Sequence, residues 1–377
     1  MKIFQHILKS KEEIEHLEIT FTPDVIFLFV SLSFDNVEST ISTLKDKFKD
    51  SILIGGTTAG EIIDKNIVDG SIVMSAIKFD KTKFKVYSSD LPIDAITFQE
   101  VGKDFVKNID QENLRHLFIL SDVQTLNASS FLRGINEQLS NNISISGGLA
   151  GRESYFGTNF IIDRGELKRN RVVTLALYGD NIQVSYNAQG GWDSYGVECL
   201  VTKSKGNRIL EIDGRPALDF YKSHVNPMLL NDINNQGFNH PFKVRNEEHV
   251  NPVIRVLLDI DKEERSLILT EEIPIGSYVR MMKANIDRLI LGAENAAKTI
   301  TQQNNHQHEL AILISCSGRR KVLGDLVSEE IEAVIDQFPE KTKSIGFYSY
   351  GEISPFFSKP KASLHNLTMC VTTFSEI

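Results

Sequence analysis

Short apolar runs rich in Val, Ile and Phe recur along the whole chain. They are VIFLFV (25–30), SIVMSAIKF (71–79), HLFILSD (116–122), VVTLALYG (172–179), RVLLDID (255–261), LAILISC (310–316), SIGFYSY (344–350) and LTMCVTTF (367–374). Runs of this length and composition predict strands, and several lack polar alternation, which predicts burial on both faces of a parallel or mixed sheet. Between them lie stripes at three- and four-residue spacing: Val37, Ile41, Leu44 and Phe48; Phe131, Ile135 and Leu139; Ile331, Val334, Ile335 and Phe338. Each stripe predicts an amphipathic helix, the last with Glu329 and Glu330 placed to favour the helix dipole. Strands alternating with helices predict an α/β architecture.

One pattern is written three times. ILIGGTTAGEI and SIGFYSYGEI share Gly-x-x-x-x-Gly-Glu-Ile, at Gly55, Gly60, Glu61, Ile62 and at Gly346, Gly351, Glu352, Ile353. A looser copy, SISGGLAGRE, holds Gly147, Gly148, Gly151 and Glu153. Each copy follows a strand and a helix and precedes another strong strand. The fold expected is therefore α/β, with repeated β-α-β-β units forming mixed sheets flanked by helices, in two modules. The intervening segments read differently. Asn187 to Gly191 and Lys205 to Asn207 signal hairpins, and Arg215-Pro216 opens a helix running through Tyr221. Residues 226–251 are Asn-rich and read as loop, whereas Lys283 to Thr301 reads as a long amphipathic helix.

The chain has 377 residues with 41 Lys+Arg against 50 Asp+Glu, a formal net charge of −9. This acidic balance disfavours phosphate-rich partners, so no nucleic-acid binding is expected. The first residues reach Lys9, Lys11 and Glu12 without a signal-peptide core, and the longest apolar run, Val25 to Val30, is too short to span a bilayer. Cys199, Cys316 and Cys370 are odd in number and far apart, which argues against a disulfide framework or a sequential zinc site. A cytoplasmic protein without membrane insertion is expected.

No catalytic motif in the chain is complete. Gly55 to Gly60 has Walker spacing, yet Glu61 and Ile62 stand where Lys and Ser/Thr would meet phosphate and magnesium. Thr57 breaks the Rossmann pattern. Two readings remain for this turn. In one, the glycines only allow close backbone approach; in the other, Thr57, Thr58, Gly60, Glu61 and the turn amides line a polar pocket, with Glu352 as the repeated equivalent. Cys316 at a strand end precedes Arg319 and Arg320, but an Arg six residues after the Cys is missing, since position 322 is Val. A buried Cys is usually a small apolar residue, and the two arginines are candidate anion contacts. Tyr348, Tyr350, Glu352, His365 and Asn366 gather polar groups in the tail, while His306-x-His308 lacks sequence-near metal partners.

GGTTAGEI, SCSGRRKVLGDLVSEE, GFYSYGEISP and LHNLTM together resemble the FIST (F-box and intracellular signal transduction) family, across nearly the whole chain. The resemblance implies an N-terminal lead-in (1–24), a FIST N module (25–220), a FIST C module (221–360) and a C-terminal strand completing the second module (361–377). It also implies a sensor without catalysis of its own, binding a small ligand such as an amino-acid-like metabolite. Its output would pass to a separate histidine kinase or cyclic-di-GMP signalling enzyme. The tail is most similar to the nitric-oxide-sensing (NosP-like) branch, whose members carry haem. His365 in LHN is then the candidate axial ligand, with His224, His240 and His249 as rivals. The alternative from another class is a small-metabolite enzyme using Cys316 with Glu352 or His365.

Overall fold

The computed structural model describes residues 1–92, 97–122, 127–153, 157–226, 228, 237–246, 251–303, 307–356 and 361–377. After strand β1 (Lys2–Leu8), the first unit runs β2 (Val25–Val30), α1 (Val37–Lys47), β3 (Ile52–Thr57), a hairpin of β4 (Glu61–Ile63) and β5 (Asn66–Val68), β6 (Ile72–Lys78) and β7 (Lys83–Asp90). The second unit repeats this order. Helix α2 (Phe98–Lys107) leads into β8 (Leu114–Ser121), α3 (Ala128–Gln138) and β9 (Ser144–Leu149). The hairpin β10 (Ile161–Asp163) and β11 (Glu166–Lys168) follows, then β12 (Arg171–Tyr178) and β13 (Ile182–Gln189).

An insertion comes next, with β14 (Asp193–Ser194), β15 (Cys199–Lys205), β16 (Arg208–Ile212), β17 (Arg215–Pro216) and α4 (Ala217–Lys222). It continues through β18 (Phe242–Arg245), β19 (Val253–Arg255), β20 (Leu257–Asp261), β21 (Ser266–Leu269) and β22 (Tyr278–Lys283). The third unit comprises α5 (Ile286–Gln303), β23 (Leu310–Cys316), α6 (Ser317–Leu323), α7 (Val327–Ile335) and β24 (Lys343–Ser349). Its hairpin is β25 (Gly351–Pro355) with β26 (Ala362–His365), and β27 (Met369–Glu376) ends it.

The three units interlock in a cycle. The sheet orders are β1-β6-β2-β3-β10-β11, β7-β12-β8-β9-β25-β26 and β13-β27-β23-β24-β4-β5. Each sheet has a parallel central pair, β2/β3, β8/β9 or β23/β24. Each also borrows its terminal hairpin from another unit, so β4–β5 joins the third sheet, β10–β11 the first and β25–β26 the second. The result is a pseudo-threefold arrangement.

Covering both sheet faces explains the unbroken apolar runs. In β2, Val25, Phe27 and Phe29 enter a central core shared by the three sheets, while Ile26, Leu28 and Val30 pack outward under α1. Aromatic contacts stitch the units together at that centre, with Phe27 and Phe118 rings 5.5 Å apart and Phe29 and Phe347 rings 4.6 Å apart. The repeated first glycine meets a steric demand: a Cβ on Gly55, Gly147 or Gly346 would lie 1.8, 1.8 or 1.9 Å from the carbonyl oxygen of Leu28, Ile119 or Leu313.

Helices α2 and α3 begin at side-chain caps, Thr97 accepting from the Glu100 amide and Asn127 from the Ser130 amide. In the insertion, β19 and β20 stand at opposite ends of the strand path yet are separated only by Val256, so this sheet curls into a barrel-like layer around its own core.

Two local expectations are corrected. Asn187 to Gly191 forms no hairpin, because β13 pairs with the distant β27 and β14 with β22. Within the Asn-rich 226–251 segment, residues 242–245 form β18, whose Phe242 and Val244 fill the barrel core. By contrast, Gly206 does turn the β15–β16 hairpin, and Pro216 precedes α4.

A candidate ligand cleft where the three turns meet

The parallel strand pairs of all three units end on the same side, and the turns that follow them close a ring. The Gly151 amide donates to the Thr57 carbonyl at 2.8 Å, the Tyr350 amide to Leu149 at 3.4 Å and the Ala59 amide to Tyr348 at 2.9 Å. These are equivalent positions in successive units. Carboxyl ends of parallel strands are where α/β sheets place ligands, because side chains and free amides converge there. Above the ring, against the barrel layer, lies a cleft of ≈860 Å³. Asp69, Arg152, Glu153, Arg320 and Lys321 make its charged wall, and Phe238, Val256 and Leu258 bring apolar surface from the barrel side. Thr270, Glu271, Cys316 and Asn366 also line it.

Arg320 anchors the charged wall. Its guanidinium grips Asp69 through two bonds of 2.8 and 2.6 Å, donates to the Ala59 carbonyl at 2.7 Å and lies 5.3 Å over the Tyr348 ring. That position explains Gly60, where a Cβ would come within 2.1 Å of Arg320 Nη1. Arg152 lies over the Tyr350 ring at 5.5 Å and donates to Asn159 at 2.9 Å, while the Tyr350 hydroxyl donates to the Arg152 carbonyl at 2.9 Å. Glu153 accepts from the hydroxyls of Ser31 and Ser33.

At the barrel end, Asn366 Oδ1 accepts from Thr270 Oγ1 at 2.9 Å and from Arg255 Nη1 at 3.4 Å. Glu271 accepts from the Ser129 amide at 3.4 Å; burial pushes its carboxyl upward, opposed by the Arg255 charge.

The predicted site residues fall into two groups. Arg320, Tyr350 and Asn366 line the cleft. Thr57, Thr58, Glu61 and Glu352 are fully buried behind it, with Gly60 also in the interior. Glu61 accepts from Thr58 and, at 3.2 Å, from Ser71; burial raises its carboxyl to about 8. Glu352 repeats the design, accepting from Ser349 at 2.7 Å and from the Thr368 amide and hydroxyl at 3.2 and 3.0 Å, and burial raises it to about 7.

The carboxylates occupy equivalent hairpins but have separate partners. In the second unit Ile161 takes the corresponding place opposite Gly56.

Arg319 has no exposed surface. It is spent on Glu330 at 2.5 Å and on the carbonyls of Leu289, Gly190 and Leu367. The buried Tyr348 hydroxyl donates to the same Glu330 at 3.3 Å.

Neither Cys316 nor any described histidine offers a reactive group to the cleft. Burial and the neighbouring Glu352 push the Cys316 thiol far up, which keeps it a neutral thiol. His365 Nε2 donates to the Ser354 carbonyl at 2.9 Å, its ring packs on Phe356, and burial lowers it to about 4. No described histidine lines the cleft. The arrangement therefore does not fit an axial haem ligand at His365. His224 and His240 flank Tyr195 in the barrel layer, and His308 bonds Thr373 at 3.0 Å. His249 and His306 lie outside the described residues.

Asp69, Arg152, Thr270 and Glu271 were not singled out from sequence. Arg152 had a signal, since it follows Gly151 in the looser repeat. Thr270 and Glu271 had none, because the insertion has no repeat to mark it.

The FIST N domain matches residues 24–215 and the FIST C domain residues 217–355. The chain belongs to the FIST family. An uncharacterized protein of Methanocaldococcus jannaschii is 21% identical over 361 residues, covering 87% of this chain and 69% of that protein. Solved structures show only distant likeness. A cyanuric acid hydrolase from A. caulinodans has a TM-score of 0.41 at 8% identity, covering 100% of this chain and 98% of that one. A chorismatase has 0.34 at 7%, covering 99% and 98%. Neither carries an argument about chemistry.

FIST domains mark a signal-transduction sensor. The cleft draws on both stretches, Asp69, Arg152 and Glu153 from FIST N and Cys316, Arg320 and Tyr350 from FIST C, with Asn366 from the strand region beyond. No helix among the described residues is long and apolar enough to cross a membrane.

Proposed function

We propose that this FIST protein binds a small, amino-acid-like metabolite in the cleft and passes its occupancy to a separate cytoplasmic partner, a histidine kinase or a cyclic-di-GMP signalling enzyme. The observation that carries this reading is the cleft's composition. Three cations (Arg152, Arg320, Lys321) and three carboxylates (Asp69, Glu153, Glu271) share it with apolar side chains, and its one thiol is held neutral. Such a surface suits a ligand bearing both signs of charge, and it contains no activated nucleophile for the alternative enzyme using Cys316. Because one wall belongs to the barrel layer and the other to the pseudo-threefold core, a ligand touching both favours one spacing of the two layers. That difference is what a partner can read.

Thermal-shift measurements with the common amino acids test the reading. At least one should raise the melting temperature of the parent and lose that effect in Arg152→Ala and Arg320→Ala. A flat response to the whole panel would sink the proposal. Haem is the competing ligand, and an absorption spectrum after haem addition separates the two. A Soret band that shifts with nitric oxide and vanishes in His365→Ala would favour haem despite the His365–Ser354 bond.

A further inference from the structure

The barrel end of the cleft has unused hydrogen-bonding capacity of defined sign. Asn366 is 3% exposed and Glu271 9% exposed. The Asn366 amide can be oriented without ambiguity. Arg255 has only donors, so the atom facing it must be Oδ1, which also receives the Thr270 hydroxyl. Its Nδ2 is thereby turned away from both, and among the described residues no protein group accepts from it. Glu271 is the residue after Thr270. Its carboxylate accepts from the Ser129 amide at 3.4 Å and from the Ser129 side chain, and since a carboxylate has about four acceptor sites, lone pairs remain for a further donor. Both side chains line the cleft. A donor and an acceptor with hydrogen-bonding capacity to spare, on two side chains that line the same cleft, can be completed by one ligand group.

We propose that Asn366 and Glu271 form a donor–acceptor subsite that takes a primary carboxamide or ureido group of the ligand. The ligand carbonyl accepts from Asn366 Nδ2, and its N–H donates to Glu271. This assignment rests on the ligand-sensor reading above and narrows it, because a carboxylate placed there would face the Glu271 carboxylate and be repelled. Arg255 acts as a positioning residue, holding Asn366 from behind through its bonds to the Leu364 and Ile254 carbonyls at 3.1 and 3.0 Å.

Calorimetric titration of the 377-residue chain with L-glutamine, L-glutamate, succinamate and succinate tests it. Each amide should bind about tenfold more tightly than its acid, or better. Glu271→Gln keeps an acceptor oxygen and adds a donor, so it should gain about tenfold for the acids while keeping the amides within about threefold. Asn366→Asp keeps the oxygen that Arg255 and Thr270 require but removes the donor, so the amides should weaken by about tenfold. Equal binding of amide and acid by the parent, or a selectivity untouched by Glu271→Gln, overturns the subsite. If Arg152- and Arg320-dependent amino-acid binding persists in that case, the sensor reading survives alone. Binding of none of the four probes overturns the subsite, and a flat amino-acid panel would take the sensor reading with it.

Discussion

At the scale of single residues, the buried charges divide into stapling groups and titrating groups. Arg319 and Glu330 are both fully buried and satisfy one another. Removing only one leaves an unpaired charge in the interior, so Glu330→Ala should cost about 3–5 kcal/mol in urea unfolding. Replacing both by apolar residues of similar volume should cost less than either single change.

Glu61 and Glu352 behave differently, because burial lifts them to about 8 and about 7 from an ordinary value of 4.5. The folded state therefore holds protons that the unfolded chain has released. The stability from these neutral acids is complete below about pH 4.5 and is lost as pH rises through 7 and then 8. Unfolding free energies measured at about pH 5 and about pH 9 should differ in that direction in the parent. Glu61→Gln and Glu352→Gln should each flatten the difference. An unchanged slope in both variants would remove the burial argument.

At the scale of elements, the repeated glycines and the exchanged hairpins carry the architecture. Gly55, Gly147 and Gly346 let each second strand approach its parallel neighbour, and an added Cβ would strike backbone, which cannot swing away. Gly346→Ala should destabilise by about 1–3 kcal/mol or more, read as a lower urea midpoint. Gly60→Ala differs in kind, because its obstacle is the Arg320 side chain and its φ is +130°. It should displace Arg320 from Asp69 and weaken ligand-induced stabilisation beyond its effect on folding.

Much of this level was legible in the sequence. The continuous apolar runs marked the doubly covered strands, and the copy of the glycine pattern in the second unit was visible despite its looser match. The Asn187 to Gly191 turn was misread because a strand end followed by Gly190 and Gly191 looks locally like a hairpin, while the true partner of β13 lies at residues 369–376.

At the scale of the whole molecule, the FIST N and FIST C stretches share sheets. β4 and β5 from FIST N pair beside β24 of FIST C, while β25 of FIST C pairs beside β9 of FIST N. The barrel is also divided, with β15 to β17 before residue 217 and β18 to β22 after it. Residues 1–216 and 217–377 produced separately should each lack cooperative thermal unfolding, and mixing or co-expression should restore it. Independent cooperative folding of either half would contradict the strand exchange as a stability requirement.

Local chemistry determined the strands, most helices, the threefold repetition and the family resemblance, because each is carried by neighbouring residues through apolar periodicity and close-packing glycines. Tertiary structure decided the site. Glu61 and Glu352 looked like ligand groups from their shared motif, but the hairpin exchange carries both behind the turn ring. Arg319 and Arg320 are adjacent in sequence, yet helix geometry turns the first into a sealed core and the second into the cleft. Glu271 and Asn366 are 95 positions apart by their numbers and come to line one cleft only when the barrel layer packs on the core. Which polar groups end at the cleft with hydrogen-bonding capacity to spare depends on long-range packing, which no stretch of neighbouring residues carries.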